Sequence, residues 1–286
     1  MRRAIALSAK GLGTTSPNPP VGCVILDPEG QLAGEGFHLR KGEPHAEVNA
    51  LAAAGDNARG GTAVVTLEPC NHHGRTPPCR QALLDAGVTR VVIALMDPTS
   101  REEGGASRLR STGVDVEDGV LGGEALLVVG PWMRSLETKL PFVRLLDDYE
   151  DLERSSEFAY FRSVSDAVIF SNGRVEEGAS GVHLPEVFAL PTAYGGQEPE
   201  LYLRELYTGG VRSLLLVGRS EVAKSFCDAG LVDEIVQLID DKPDGAGAAF
   251  TSWVDTCAAS FEVNAVEKGS TGVRMVLARR KDGRVL

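Results

Sequence analysis

Between Pro20 and Asp97 the chain alternates apolar, β-branched runs with alanine-rich amphipathic ones, and this alternation limits the folds open to it. "PVGCVIL" reads as a strand, "DPEGQ" as a turn, and "LAGEGFH" as a returning strand. "AEVNALAAAG" reads as a helix stopped by Gly55. "TAVVTLE", "CRQALLDAG" and "RVVIALMD" then read as strand, helix and strand, followed by a short helix at "ASRLRSTG", a weak strand at "VDVEDGV" and a helix at "EALLVVGPWMRSLETK". Strands interleaved with helices predict an α/β layer architecture with helices on both faces of a sheet. The start, Arg2 to Gly11, reads as a helix and not as a secretion signal, since Ser8, Lys10 and Gly11 interrupt its apolar positions.

At 286 residues, two domains are expected, with Pro141 marking the boundary between 1–140 and 141–286. In the second part "SDAVIF", "VRSLLLVG", "VDEIVQLID" and "GVRMVLARR" read as strands and "EVAKSFCDAG" as a helix. "PTAYGGQEPE" reads as a loop, and "LLDDYEDLERSS" as irregular chain or a surface helix. The formal net charge of -11 disfavours a nucleic-acid or anionic-membrane partner, and no apolar run of membrane-spanning length is present. An odd number of cysteines, five, without a disulfide-scaffold pattern points to a reducing, cytoplasmic compartment.

Four side chains stand out against that background. His45 and Glu47 open the alanine-rich helix, Cys70 follows a strand, and Cys79 opens a helix. One imidazole and two thiolates make a three-ligand zinc site that leaves the fourth position open, which is the catalytic and not the structural arrangement. Glu47 is placed to act as the general acid/base. Cys23, Cys227 and Cys257 read as core, and His72 and His73 as loop or substrate contacts.

"TSPNPPVGCVI", "GEGFH", "GEPHAEVNAL", "VTLEPCNHHGRTPPC" and "GVTRVVIALMDP" together resemble the deaminase domain of the bifunctional riboflavin-biosynthesis deaminase/reductase family. The resemblance implies a cytidine-deaminase-like three-layer α/β/α domain, followed by a dihydrofolate-reductase-like α/β domain. It implies hydrolytic removal of the 2-amino group of 2,5-diamino-6-ribosylamino-4(3H)-pyrimidinone 5′-phosphate. Carried over by motif, His45, Cys70 and Cys79 hold zinc, Glu47 shuttles protons, Asn18, His38 and Glu68 line the base pocket, Arg75 meets the phosphate and Asp97 the ribose.

Two departures qualify it. "DPTSREEGGA" puts Thr99, Glu102 and Glu103 where the family has Asp-Pro-Asn and a small loop. In the second half the framework segments "LPFVRLL", "SDAVIFSNGRV" and "AGLVDEIVQLI" resemble the reductase, but "NGRV" and "VGRS" replace its cofactor motifs, and a middle portion is expected to be missing. The expectation is therefore a shortened reductase-like domain that binds no NADPH and serves packing or dimerisation, in a homodimer or higher homo-oligomer. Two other readings are kept: a pathway-specific deaminase acting on a substrate with an altered sugar or phosphate, and a non-catalytic subunit partnering a complete enzyme.

Overall fold

The computed structural model describes all residues except 72–77, 101–103, 148–154, 187, 241–256, 258, 269–271 and 280–286. The chain divides into two compact units, Met1–Met133 and Arg134–Leu286.

The first unit is built on a five-stranded sheet. Its strands are β1 (Gly22–Leu26), β2 (Leu32–Phe37), β3 (Thr62–Leu67), β4 (Arg90–Leu95) and β5 (Asp115–Glu117), in the order β2-β1-β3-β4-β5. β1 runs antiparallel to both β2 and β3, and β3, β4 and β5 run parallel. The period-two pattern sorts side chains between two layers. Cys23, Ile25, Ala63, Val65, Val91 and Ile93 share a core with the helices α2 (Ala46–Ala54), α3 (Cys79–Asp85) and α4 (Gly104–Ser111). Val24 and Val64 face the other way, onto Ala4 and Leu7 of α1 (Arg2–Ser8). The helix α5 (Gly122–Thr138) joins α1 through an Arg2–Glu124 ion pair at 2.8 Å. This is the expected three-layer α/β/α arrangement.

Glycines set how closely α2 approaches. A Cβ on Gly34 would lie 2.3 Å from the Ala50 carbonyl oxygen, and one on Gly36 would lie 2.4 Å from the Ala46 carbonyl oxygen. β2 therefore lies directly on the backbone of α2, which no other residue type permits.

The second unit holds a seven-stranded sheet made of β6 (Phe142–Asp147), β7 (Ala167–Ile169), β8 (Val175–Glu177), β9 (Ser213–Val217), β10 (Glu234–Asp240), β11 (Phe261–Lys268) and β12 (Gly272–Arg279). The order is β11-β12-β10-β6-β9-β7-β8, with β10, β6, β9 and β7 parallel. One face packs on α7 (Pro199–Thr208) and α8 (Glu221–Asp228) through Tyr202, Leu203, Leu206 and Phe226. The other packs on Phe158 and Phe161 of α6 (Ser156–Ser163).

The reading of "LLDDYEDLERSS" as irregular or helical is corrected at its start. Leu145, Leu146 and Asp147 end β6, a strand at the middle of the sheet. The acidic cluster hid it, because Asp147 is buried and its charge is met by Arg219 and not by water. At the far end of the same stretch, Ser155 caps α6 by accepting from the Phe158 N–H. Among the described residues, no helix is long and apolar enough to cross a membrane.

Candidate metal centre

Three backbone junctions converge on one point. His45 is the N-cap of α2, Cys70 lies three residues past the end of β3, and Cys79 is the first residue of α3. The ligand atoms of these three residues lie within 4.8 Å of one another, and among the described residues they form the one group of this kind. The His45 Nδ1 stands 3.2 Å from the Cys79 Sγ and 3.7 Å from the Cys70 Sγ. A tetrahedral zinc with bonds of about 2.0–2.3 Å spaces its nitrogen and sulfur ligands roughly 3.5–3.8 Å apart, which the His45–Cys70 separation meets and the His45–Cys79 separation falls just short of, and one imidazole with two thiols is a donor set suited to that ion.

Local electrostatics favour a thiolate at this point. The Cys79 N–H, at the start of α3, donates to the Cys70 Sγ at 3.3 Å. A helix start offers N–H groups with no partner inside the helix, and they favour negative charge. The Cys70 thiol is pulled well down, chiefly by its hydrogen bond with Cys79, and the same bond pushes Cys79 far up. Its bond to Cys70 raises His45.

Glu47 sits two residues into the same helix and is 3% exposed. Burial raises its carboxyl to about 7, with the negative charge of Cys70 adding to the effect. A carboxyl balanced near neutrality can both take and give a proton.

His38 and Asn18 stand together beside this cluster. The His38 ring meets His45 edge-on at 5.1 Å between centroids. Its Nδ1 lies 3.2 Å from the Pro44 carbonyl oxygen, and its Nε2 lies 3.2 Å from the Asn18 Nδ2. Those partners suit a neutral ring that donates from Nδ1 to Pro44 and accepts from Asn18 at Nε2. Burial agrees, pushing His38 down to about 4.

Glu68 is differently engaged: its carboxylate accepts from the Ser100 hydroxyl at 2.7 Å and from the Ala106 N–H at 2.9 Å. Asp97, just past β4, accepts on Oδ1 from the Thr99 N–H at 2.8 Å and from the Thr99 hydroxyl at 2.7 Å. Arg75, His72, His73, Glu102 and Glu103 lie outside the described residues.

Sequence reasoning passed over two supporting residues. Asn49 on α2 donates to the Phe37 carbonyl at 2.9 Å and to the Pro44 carbonyl at 3.3 Å, which braces the backbone entering His45. A polar side chain in an alanine-rich helix, one turn after the metal ligand, was the available signal. Trp132 donates from Nε1 to the Pro17 carbonyl at 3.0 Å and so ties α5 to the loop carrying Asn18. No local pattern announces that contact across more than a hundred residues.

Comparison with known proteins agrees with this geometry. The family model for the cytidine and deoxycytidylate deaminase zinc-binding region matches residues 1–95. Riboflavin biosynthesis protein RibD of Escherichia coli is 50% identical over 146 residues, covering 51% of this chain and 40% of that protein. The diaminohydroxyphosphoribosylamino-pyrimidine deaminase of Buchnera aphidicola subsp. Schizaphis graminum is 46% identical over 142 residues, covering 49% of this chain and 96% of that one. Alignment with the longer RibD relatives thus spans well under half of their length. The crystal structure of a diaminohydroxyphosphoribosylaminopyrimidine deaminase/5-amino-6-(5-phosphoribosylamino)uracil reductase from Thermotoga maritima superposes with a TM-score of 0.79 at 26% identity, covering 98% of this chain and 97% of that chain. That likeness takes in the second sheet as well as the first. The deaminase half is thus matched almost end to end by a stand-alone relative, and the chain belongs to the riboflavin-biosynthesis deaminase/reductase family.

Proposed function

We propose that this chain is a zinc-dependent aminohydrolase that converts 2,5-diamino-6-ribosylamino-4(3H)-pyrimidinone 5′-phosphate to the corresponding 2-oxo compound and ammonia. The observation that carries the proposal is the convergence of His45, Cys70 and Cys79 with the buried carboxyl of Glu47 on the same helix turn. His45, Cys70 and Cys79 would hold the ion, and zinc there would supply the Lewis acidity that makes water nucleophilic near neutral pH. Glu47 takes a proton from the attacking water and delivers it to the departing nitrogen as the C–N bond breaks. Its raised pKa keeps both directions of transfer accessible near neutrality.

Neutral His38, held by Pro44 and Asn18 through both ring nitrogens, brings no competing charge beside the metal ligands. Such a surface suits an uncharged aminopyrimidine ring. Arg75 is assigned to the substrate phosphate and Asp97 to the ribose.

A second reading, an altered sugar or phosphate on the substrate, is favoured by one observation. Thr99 occupies Oδ1 of Asp97, so part of that carboxylate is already spent within its own turn. Turnover of the phosphorylated and dephosphorylated aminopyrimidine separates the two. The first reading expects a strong preference for the phosphorylated compound and a sharply raised KM in Arg75→Ala. Equal turnover of both compounds would transfer the assignment to the second reading.

The second unit is proposed to be catalytically silent. In parallel sheets, ligands bind beyond the carboxyl ends of the strands. Arg219, just past β9, lays its guanidinium on Asp147 at the end of β6, with Nε to Oδ1 at 2.5 Å and Nη2 to Oδ2 at 3.1 Å. Gln237 on β10 joins the same carboxylate at 3.3 Å. Arg174 stacks on Phe170 with 4.0 Å to the ring centroid and pairs with Glu176. Side chains filling this edge support a domain retained for packing or for assembly of a homo-oligomer, without NADPH.

A further inference from the structure

We infer that Glu68 is a positioning residue: its buried carboxylate fastens Asp97, Ser100 and Ala106 onto the end of β3 and so sets where Asp97 stands relative to Cys70. The kinetic consequence rests on the deaminase reading above, while the fastening itself does not.

Glu68 follows the last residue of β3 and precedes Cys70 by two positions. It is 5% exposed. One carboxylate gathers three donors from across the opposite segment. Oε1 accepts from the Ala106 N–H at 2.9 Å, and Oε2 accepts from the Ser100 hydroxyl at 2.7 Å and the Asp97 N–H at 3.4 Å. Its own N–H donates to the Leu95 carbonyl at 2.9 Å, which carries the β3–β4 pairing one residue further. Ala106 lies in the first turn of α4, where N–H groups lack helical acceptors and a carboxylate is favoured.

The approach is built into the sequence by two glycines. Gly104 has φ +72°, and a Cβ there would lie 2.5 Å from the Glu68 Oε1. A Cβ on Gly105 would lie 1.8 Å from the Pro69 carbonyl oxygen. Gly104 and Gly105 therefore form a seat shaped for Glu68 and Pro69, and a side chain at either glycine would lift α4 away from the metal cluster.

Both Glu68 oxygens already accept hydrogen bonds from the protein, which fits fastening better than reading a substrate amine. What the clamp holds is the turn in which Asp97 sits, closed by the Ser100 N–H to Asp97 carbonyl bond at 3.1 Å and by the two bonds from Thr99. Asp97 thus reaches the site on a segment whose register is dictated from the strand that also delivers Cys70.

The test uses the full-length, zinc-loaded chain. Glu68→Gln keeps size but turns one oxygen into an N–H₂ group, which must face a donor on one side of the clamp. Ser100→Ala is the milder variant and removes one bond only. Amide hydrogen exchange at Asp97, Ser100 and Ala106 should quicken on the order of tenfold in Glu68→Gln and less in Ser100→Ala, with exchange at Val64 and Val65 unchanged. Unchanged exchange at Asp97 and Ala106 would overturn the clamp. Kinetically, Glu68→Gln should raise KM for the aminopyrimidine phosphate on the order of tenfold, with kcat within about threefold and zinc content unaltered. The decisive comparison is with Asp97→Ala: in that background Glu68→Gln should add almost nothing, because the two residues act on one contact. A fully additive KM effect would overturn the positioning role. Absence of turnover in the unmodified chain would count against the deaminase assignment alone, and the exchange measurement would still decide the clamp.

Discussion

Glu47 is buried among groups that both raise and lower its proton affinity, and its role in turnover separates cleanly from the role of its neighbour His45. Glu47→Gln preserves volume and hydrogen bonding but cannot exchange a proton. It is expected to keep its zinc and lose turnover by on the order of a hundredfold or more. Zinc analysis beside steady-state rates checks both halves, and near-normal turnover would remove Glu47 from the chemistry. His38 makes a different prediction. Its value falls from 6.5 to about 4 on folding, so the folded chain binds the proton less readily than the unfolded one. Its contribution to stability is complete above the unfolded value, declines as pH falls through the window from 6.5 to 4, and reaches its floor below it. The loss amounts to roughly 3 kcal/mol. Urea midpoints should therefore drop between pH 6.5 and 4 more steeply for the native chain than for His38→Gln, and parallel curves would refute the buried neutral ring. At this scale the metal ligands and Glu47 were legible because their residue types and order are rare together. Glu68 was not: nothing in "LEPC" reveals that its carboxylate turns towards Ser100 and Ala106.

Elements were legible wherever one periodicity dominated. β1, β3, β4, α2 and α3 follow directly from apolar runs and helix stops, and they are the elements that deliver Cys70, Cys79, His45 and Glu47. β6 was obscured because its last residue is a buried aspartate whose partner, Arg219, is distant in sequence. The glycines of "LAGEGFH" could be read as a motif but not explained, since their reason lies in a helix ten or more residues away. The structure supplies it: α2 rests on Gly34 and Gly36. Gly36→Ala would set a methyl group 2.4 Å from backbone atoms that cannot yield without moving α2. It is expected to cost about 1–3 kcal/mol, or more. Because α2 carries His45 and Glu47, it should also weaken zinc retention. A thermal melt with metal analysis checks this, and a variant as stable and as zinc-replete as the parent would show that the helix can shift freely.

The whole molecule combines a deaminase unit whose relatives are plain from sequence with a second unit matched over its length chiefly by fold. Strand pattern exposed the second sheet. Its edge chemistry had to come from the structure, where Arg219, Asp147 and Gln237 close on one another. Titration with NADPH is expected to give no saturable binding, and the deaminated product should not be reduced to a ribitol compound. Saturable binding would mean that the Arg219–Asp147 pair opens to admit a cofactor. The most direct measurement of deamination incubates the zinc-loaded chain with 2,5-diamino-6-ribosylamino-4(3H)-pyrimidinone 5′-phosphate and follows ammonia together with the pyrimidine product. One ammonia should be released for each 2-oxo product formed, with release abolished by removing zinc and restored by returning it. Intact substrate after prolonged incubation with the metal-replete chain would contradict the deaminase assignment.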